Sequence, residues 1–263
     1  MSETATEPSL QGQMFLFEKP ELISKEAHGD LGVTLPEKRF EYCAGVRGIP
    51  LTVSEIPAAM KDYPIVFAST EQLIPIAIVG LIDEVNLFVD EKGDWEQHRY
   101  VPGYVRRYPF GVAAETGGER IAIVIDRAYK GLQPGGDLQL FENGEPTANT
   151  KQAIEFCKGY EEDRIRTEQF SNQVRDLNIV SGQSAQYTPQ GETQPRVFAE
   201  YVSIDENVLK QIPADKLVEL RDAGILPMLY AMVMSLGNWR TILTRRALRY
   251  GLNEDTMLKP VLN

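Results

Sequence analysis

Between residues 100 and 110 the chain reads Tyr100-Val-Pro-Gly-Tyr104-Val-Arg106-Arg107-Tyr108-Pro-Phe110, four large aromatic rings and two guanidiniums within eleven residues. A guanidinium is a rigid fork of donors matched to carboxylate or phosphate, and a Tyr ring adds a stacking surface with a hydroxyl at its rim. Taken as a turn and a half of helix, the segment sets Tyr104 and Tyr108 on one face with Arg107 beside them. Two uses fit. The segment docks an acidic or planar partner, since Tyr and Arg dominate binding hot spots, or it holds the fold together through buried tyrosines and Arg–carboxylate pairs, for instance with Asp126 or Glu142. The partner-binding set is Tyr100, Tyr104, Arg106, Arg107 and Tyr108, joined by Asn238, which follows Gly237 and is placed to bond a neighbouring loop. One of the two arginines is expected to be structural and the other to anchor the partner.

Other chemistries are poorly served. There is no GxxxxGK[ST], no GxGxxG after a strand, no GxSxG, no HExxH and no EF-hand loop. His28-Gly-Asp30 with the later His98 supplies the parts of a two-His-one-carboxylate ferrous site, and Arg107 could hold an oxoacid as in 2-oxoglutarate oxygenases. That motif belongs on a strand well inside a jelly roll, whereas here it follows 27 residues of irregular chain. A third option is a module for a small carboxylate or phosphate, built on Tyr104, Arg107 and Tyr108. The preferred reading has no cofactor, no metal and no catalytic residue. Cys43 and Cys157 belong to no CxxC and read as ordinary buried thiols of a reducing compartment.

The elements that position these residues follow from composition and period. With 263 residues, 43% apolar and 25% charged, the chain reads as a soluble globular protein of one large domain or two small ones. Its net charge of −11 repels nucleic acid and anionic membranes on average, so no nucleic-acid partner is expected. Only the stretch Trp239–Asn263 is basic, at +3, which makes it a docking surface or the partner of an acidic face in the same fold. The longest apolar run, Ile225 to Leu236, falls short of the about 20 residues a membrane span needs. No signal-like start is seen, so the cytoplasm is the default location, with surface association left open.

Residues 1–13 read as a flexible lead and 14–263 as one domain, the alternative being two lobes divided near residue 145. Pro and Gly recur between Phe15 and Pro50, suggesting extended chain around a core. Ser54 is placed to cap a short helix over Glu55–Lys61. The runs 65–67, 74–81, 87–89 and 121–125 are rich in β-branched and aromatic residues and read as strands, with short acidic connections that favour antiparallel pairing. Gly117-Gly118 marks a turn, and Leu138–Phe141 a further strand before Asn143-Gly144. From Thr147 to Leu177 the period becomes helical, with Ala153, Cys157 and Tyr160 and then Phe170, Val174 and Leu177 on one stripe. Val180–Tyr187 and Arg196–Ile204 flank a turn-rich Thr188–Gly191 as a hairpin. Asp205 or Asp215 starts short helices, and a last helix ends at Gly251. The fold class is α+β: a mainly antiparallel sheet covered by the 147–177 helix and the C-terminal helices.

Several segments together resemble the SapC family of bacterial proteins. They are Tyr63-Pro-Ile-Val-Phe67, Ile78-Val-Gly-Leu81 with Asn86-Leu-Phe-Val89, the Tyr100–Phe110 string, Leu140-Phe141 with Gly144-Glu-Pro146, and Ser235-Leu-Gly-Asn238. The transporter permease of similar name is a different protein with several membrane helices. The resemblance implies an association with the surface layer, or a role as companion of a halogenase-type enzyme, and it carries over no catalytic residues. The chain is therefore expected to be a non-enzymatic accessory protein acting through a protein or polypeptide partner.

Overall fold

Two units, each assembled from two separate stretches of chain, divide the molecule. One comprises the chain up to Arg39 together with Arg106–Glu162, and the other comprises Phe40–Val105 together with everything from Asp163 onward. The computed structural model describes residues 14–114 and 121–261. The lead at 1–13 and the turn at Gly117-Gly118 lie outside the described residues.

In the first unit the apolar run Ile121–Asp126 forms the centre of a three-stranded antiparallel sheet, between Pro20–Leu22 and Phe110–Ala114. A second small sheet sets Leu31–Val33 between Leu132–Pro134 and Leu138–Gln139. Here Gly32 and Gly136 cross so closely that a Cβ on Gly32 would lie 2.5 Å from the Gly136 carbonyl oxygen, so neither position accepts a side chain. Leu31, Phe110, Ile125, Leu132 and Leu140 pack with Cys157 into one core. The expected strand at 138–141 is split at buried Leu140, whose N–H donates to the Leu31 carbonyl, and Phe141–Glu142 instead pairs with Glu145–Pro146 around Asn143-Gly144. Asp126 closes the central strand. Its buried carboxylate accepts the Glu18 N–H, the Lys19 N–H, the Ala128 N–H and the Tyr108 hydroxyl, at 2.9 to 3.0 Å.

The second unit holds a five-stranded antiparallel sheet in the order Val180–Tyr187, Arg196–Ile204, Ile65–Phe67, Pro75–Ile78, Gly48–Pro50. The first two strands have eight and nine residues and the others three or four. They form a long ribbon joined to the sheet through Val202 opposite Phe67. The apolar helix Ile225–Ser235 packs on the strands, and its Ser235 hydroxyl accepts the Ile65 N–H at 2.8 Å. The helix Trp239–Tyr250 follows and ends at Gly251, which is left-handed at φ 62° as its type requires.

The long helix runs over Ala148–Leu177, as the period predicts. Its stripe is only partly apolar. Asp163, Thr167 and Ser171 are buried along it and tie the helix to loops of the second unit: Thr167 Oγ1 accepts the Val53 N–H, and Ser171 donates to the Leu73 carbonyl.

Two local expectations are corrected. Residues 87–89 are not a strand. Leu87 and Phe88 lie in a buried turn with only single backbone bonds to neighbouring chain, the Leu87 N–H to the Val79 carbonyl and the Glu96 N–H to the Phe88 carbonyl. The Asn86 side chain donates to the Cys43 carbonyl and accepts the Phe88 N–H, and Val89 makes an isolated bridge to Trp95. The cap of the short helix is Thr52, not Ser54: Thr52 and Glu55 form a reciprocal capping box. Ser54 instead bonds the Asp163 carboxylate on the long helix.

The basic C-terminal stretch is largely spent inside its own unit. Arg246, with no exposed surface, bonds the Asp83 carboxylate at 2.7 Å and the carbonyls of Met257 and Lys259. Arg245 pairs with Glu96 over the Phe88 ring, and Arg249 bonds the carbonyls of Asn86 and Val89. Three arginines thus fasten the irregular 83–96 loop.

Candidate interaction surfaces

The helix expected across Tyr100–Tyr108 is a single turn, Gly103–Arg106, and the boundary between the two units falls within it, between Val105 and Arg106. The one-face arrangement of Tyr104 and Tyr108 is therefore not formed as a helical pair. In the second unit, the Tyr100 hydroxyl donates to Glu55 Oε1 at 2.9 Å and its N–H to Asp62 Oδ2 at 2.9 Å. Its carbonyl accepts the Tyr63 hydroxyl, whose pKa rises because the phenol is buried and lies near Asp62. The Gly103 N–H also reaches Glu55 Oε1, at 2.5 Å. Tyr104 is buried.

In the first unit the two arginines part company. Arg107 is 7% exposed, its guanidinium 4.7 Å from the centre of the Tyr160 ring and 5.9 Å from that of Phe17. Arg106 is exposed and lies over the ring of exposed Phe156 at 5.2 Å. Tyr108 donates to Asp126 and packs edge-on against Tyr129 and Phe17. Burial, then the Asp126 charge, raises its pKa, so the phenol remains a donor. Asn238, in the second unit, donates from Nδ2 to the carbonyls of Met60 and Tyr63, which is the loop-bonding role its sequence position suggested.

The two histidines of the iron motif lie in unlike settings. His28 is fully buried, with Nδ1 accepting the Ser24 N–H at 3.3 Å and Nε2 lying 3.4 Å from Glu21, while His98 sits exposed in a turn at φ 64°. Among the described residues no three His, Cys, Asp or Glu side chains converge as a metal site requires. Burial pushes the Cys43 thiol up to about 12 and the Cys157 thiol up to about 11, so neither is a ready nucleophile.

A surface that the sequence did not announce lies along the ribbon. A groove of about 740 Å³ is lined by Phe67, Ile76, Ile78, Gln183, Tyr201 and Trp239. A second of about 710 Å³ is lined by Tyr187, Phe198, Arg240, Leu243, Glu254 and Met257, and shares Ser184, Tyr201 and Trp239 with the first. The aromatic wall exists because the ribbon carries a bulge. Ala185 faces Ala199, but Gln186 faces Val197, so Phe198 is the extra residue. The bulge re-aims its ring, which stands 6.2 Å from Trp239 and 6.2 Å from Tyr187. The Tyr201 ring lies tilted against Trp239, with centroids 5.1 Å apart. Burial raises the Tyr201 pKa, opposed by the Trp239 indole, and its hydroxyl reaches Gln183 Oε1 at 3.5 Å. The two strands each carry aromatic residues, Tyr187 on one and Phe198 and Tyr201 on the other, but nothing local ties a hairpin to Trp239.

The family model described as SapC matches residues 23–242, so the chain belongs to the SapC family. No curated protein and no solved structure shows a significant match to it.

Proposed function

We propose that this SapC-family protein is a non-enzymatic accessory protein that works by holding a protein or polypeptide partner. The observation that carries the reading is the pair of joined hollows along the ribbon, walled by Phe198, Tyr201 and Trp239. Two hollows in a row, one mainly apolar and the other carrying Arg240 and Glu254 among its walls, suit successive side chains of an extended segment, with specificity set by what each hollow admits. Aromatic anchors of this kind account for most of the binding energy in protein interfaces. The family points to a surface-layer polypeptide or a halogenase-type enzyme as the partner. Cytoplasmic residence, with surface association as the alternative, is read by cell fractionation; among the described residues no helix is long and apolar enough to cross a membrane.

The test is capture from native lysate by the purified protein, followed by titration of the captured partner. Ile78→Lys and Phe198→Ala change the two hollows separately. Each is expected to weaken binding at least tenfold while leaving the thermal midpoint of the free protein nearly unchanged, a tenfold change being about 1.4 kcal/mol. Unaltered affinity in both variants would rule the groove out.

A further inference from the structure

The ribbon has a second feature besides its groove. Val180–Tyr187 is the terminal strand of the five-stranded sheet, and among the described residues its hairpin partner is the only strand that pairs with it. Along the outer side of such a strand, alternate backbone N–H and C=O groups point away from the sheet, a template for another strand. Proteins normally blunt such an edge with a Lys, a Pro, a bulge or a very short strand. The opposite edge of this same sheet is blunted in that way: Gly48–Pro50 has three residues, ends in Pro50 and follows Arg47. Val180–Tyr187 has none of these devices. It reads Val-Ser-Gly-Gln-Ser-Ala-Gln-Tyr, and the ribbon's extra residue, Phe198, sits on the neighbouring strand.

Charge decides what covers it. From Leu177 to Gly191 there are fifteen consecutive residues without Asp, Glu, Lys or Arg, in a chain that is 25% charged and carries −11. A foreign partner of such a chain would be drawn by complementary charge, and an edge meant for it has no need to be neutral. A second copy carries the same −11, so a self-pairing edge must be neutral if like charges are not to meet across it. An antiparallel edge is also self-complementary about a two-fold axis: each copy's outward donors meet the other's acceptors. We infer that Val180–Tyr187 pairs with the same strand of a second copy, joining two five-stranded sheets into one of ten strands. An interface of one strand per copy is small, and its affinity belongs in the micromolar class.

Sedimentation of the full chain across the micromolar range tests this. The expected result is a mass rising with concentration from 29.5 kDa toward twice that value. Ser181→Lys and Gln186→Lys, each of which puts a Lys on the pairing edge of both copies, are expected to hold the protein at the lower mass with unchanged thermal midpoint. Val218→Lys, on an exposed helical position, keeps the dimer. Phe198→Ala also keeps it, so loss of partner capture and loss of self-pairing are separate readouts. A wild-type chain that stays at 29.5 kDa throughout, or lysine variants that still dimerise, would overturn the proposal.

Discussion

Arg106 and Arg107 are adjacent and identical in type, yet they differ in environment, and that difference sets two opposite expectations. Arg107 is buried between the rings of Tyr160 and Phe17, where a desolvated cation–π contact contributes about 2 kcal/mol. Arg107→Ala is therefore expected to lower the urea unfolding free energy by at least that much, because packing is lost with the charge. Arg106 lies over exposed Phe156 at the surface, and Arg106→Ala is expected to change stability by less than about 0.5 kcal/mol, as surface substitutions do. If it nonetheless abolishes partner capture, the exposed arginine is a second anchor in addition to the groove; a large stability loss would show it to be structural as well. Glu96 gives a pH signature. The hydrogen bonds from Arg245 hold its carboxyl at about 2, well below the ordinary 4.5, against the opposing effect of burial. A depressed folded-state pKa means the stabilisation is complete above the unfolded value and is lost as pH falls from about 5 toward 2. The stability gap between wild type and Glu96→Gln is thus expected to be widest near neutral pH and to close on acidification, read from denaturant midpoints at several pH values. A gap that does not change with pH would mean that the ionised pair is not what stabilises this loop.

At the scale of elements, the Glu55 capping box shows how one carboxylate organises two segments. Glu55 Oε2 accepts the Thr52 N–H at 2.8 Å, and Oε1 accepts the Tyr100 hydroxyl and the Gly103 N–H. Glu55→Ala leaves these buried donors without their acceptor, at about 1–3 kcal/mol for each one that water cannot reach. A loss of about 3 kcal/mol is expected in urea unfolding, with Glu55→Gln losing less because it keeps one acceptor oxygen; a loss below about 1 kcal/mol would show that water replaces the carboxylate. The box was half legible in sequence: a short helix is expected there with Ser54 as its cap, whereas the cap is Thr52, two residues earlier, paired with Glu55. The long helix was legible to within a residue and the 180–204 hairpin at its bounds, since each is specified by its own period and its own turn. What escaped was whatever depends on distant chain. Leu87–Val89 has the composition of a strand, yet its apolar residues are explained by burial alone. The groove needed Trp239, far along the chain, to reach the ribbon. The site residues were legible as a segment but not by exposure: Tyr104 and Arg107 are buried, Tyr100 and Tyr108 half-buried and Arg106 exposed.

The whole molecule poses the question of whether its two units unfold together. Each is built from two non-contiguous stretches, so neither exists until distant parts of the chain have met. The long helix passes from one unit to the other between Glu162 and Asp163 without a break, with Cys157 buried in the first core and Thr167 and Ser171 bonded within the second. Losing either unit frays one half of that helix and removes the anchoring that the other half contributes to its continuity. We therefore propose a single cooperative unit in the thermodynamic sense, and the chain provides its own reporters. Cys157 is the one cysteine of the first unit and Cys43 the one cysteine of the second, and both are fully buried with thiols pushed to about 11 and about 12. Neither is expected to react with a thiol reagent in the native state. In a urea series read by pulsed labelling and peptide mapping, both cysteines are expected to become reactive at the same midpoint. Glu162→Pro, which removes a helical hydrogen bond at the junction at a cost of about 3 kcal/mol, is expected to lower both midpoints together. Two separated midpoints in the wild type, or a proline variant that exposes one cysteine and leaves the other protected, would establish two independent domains instead.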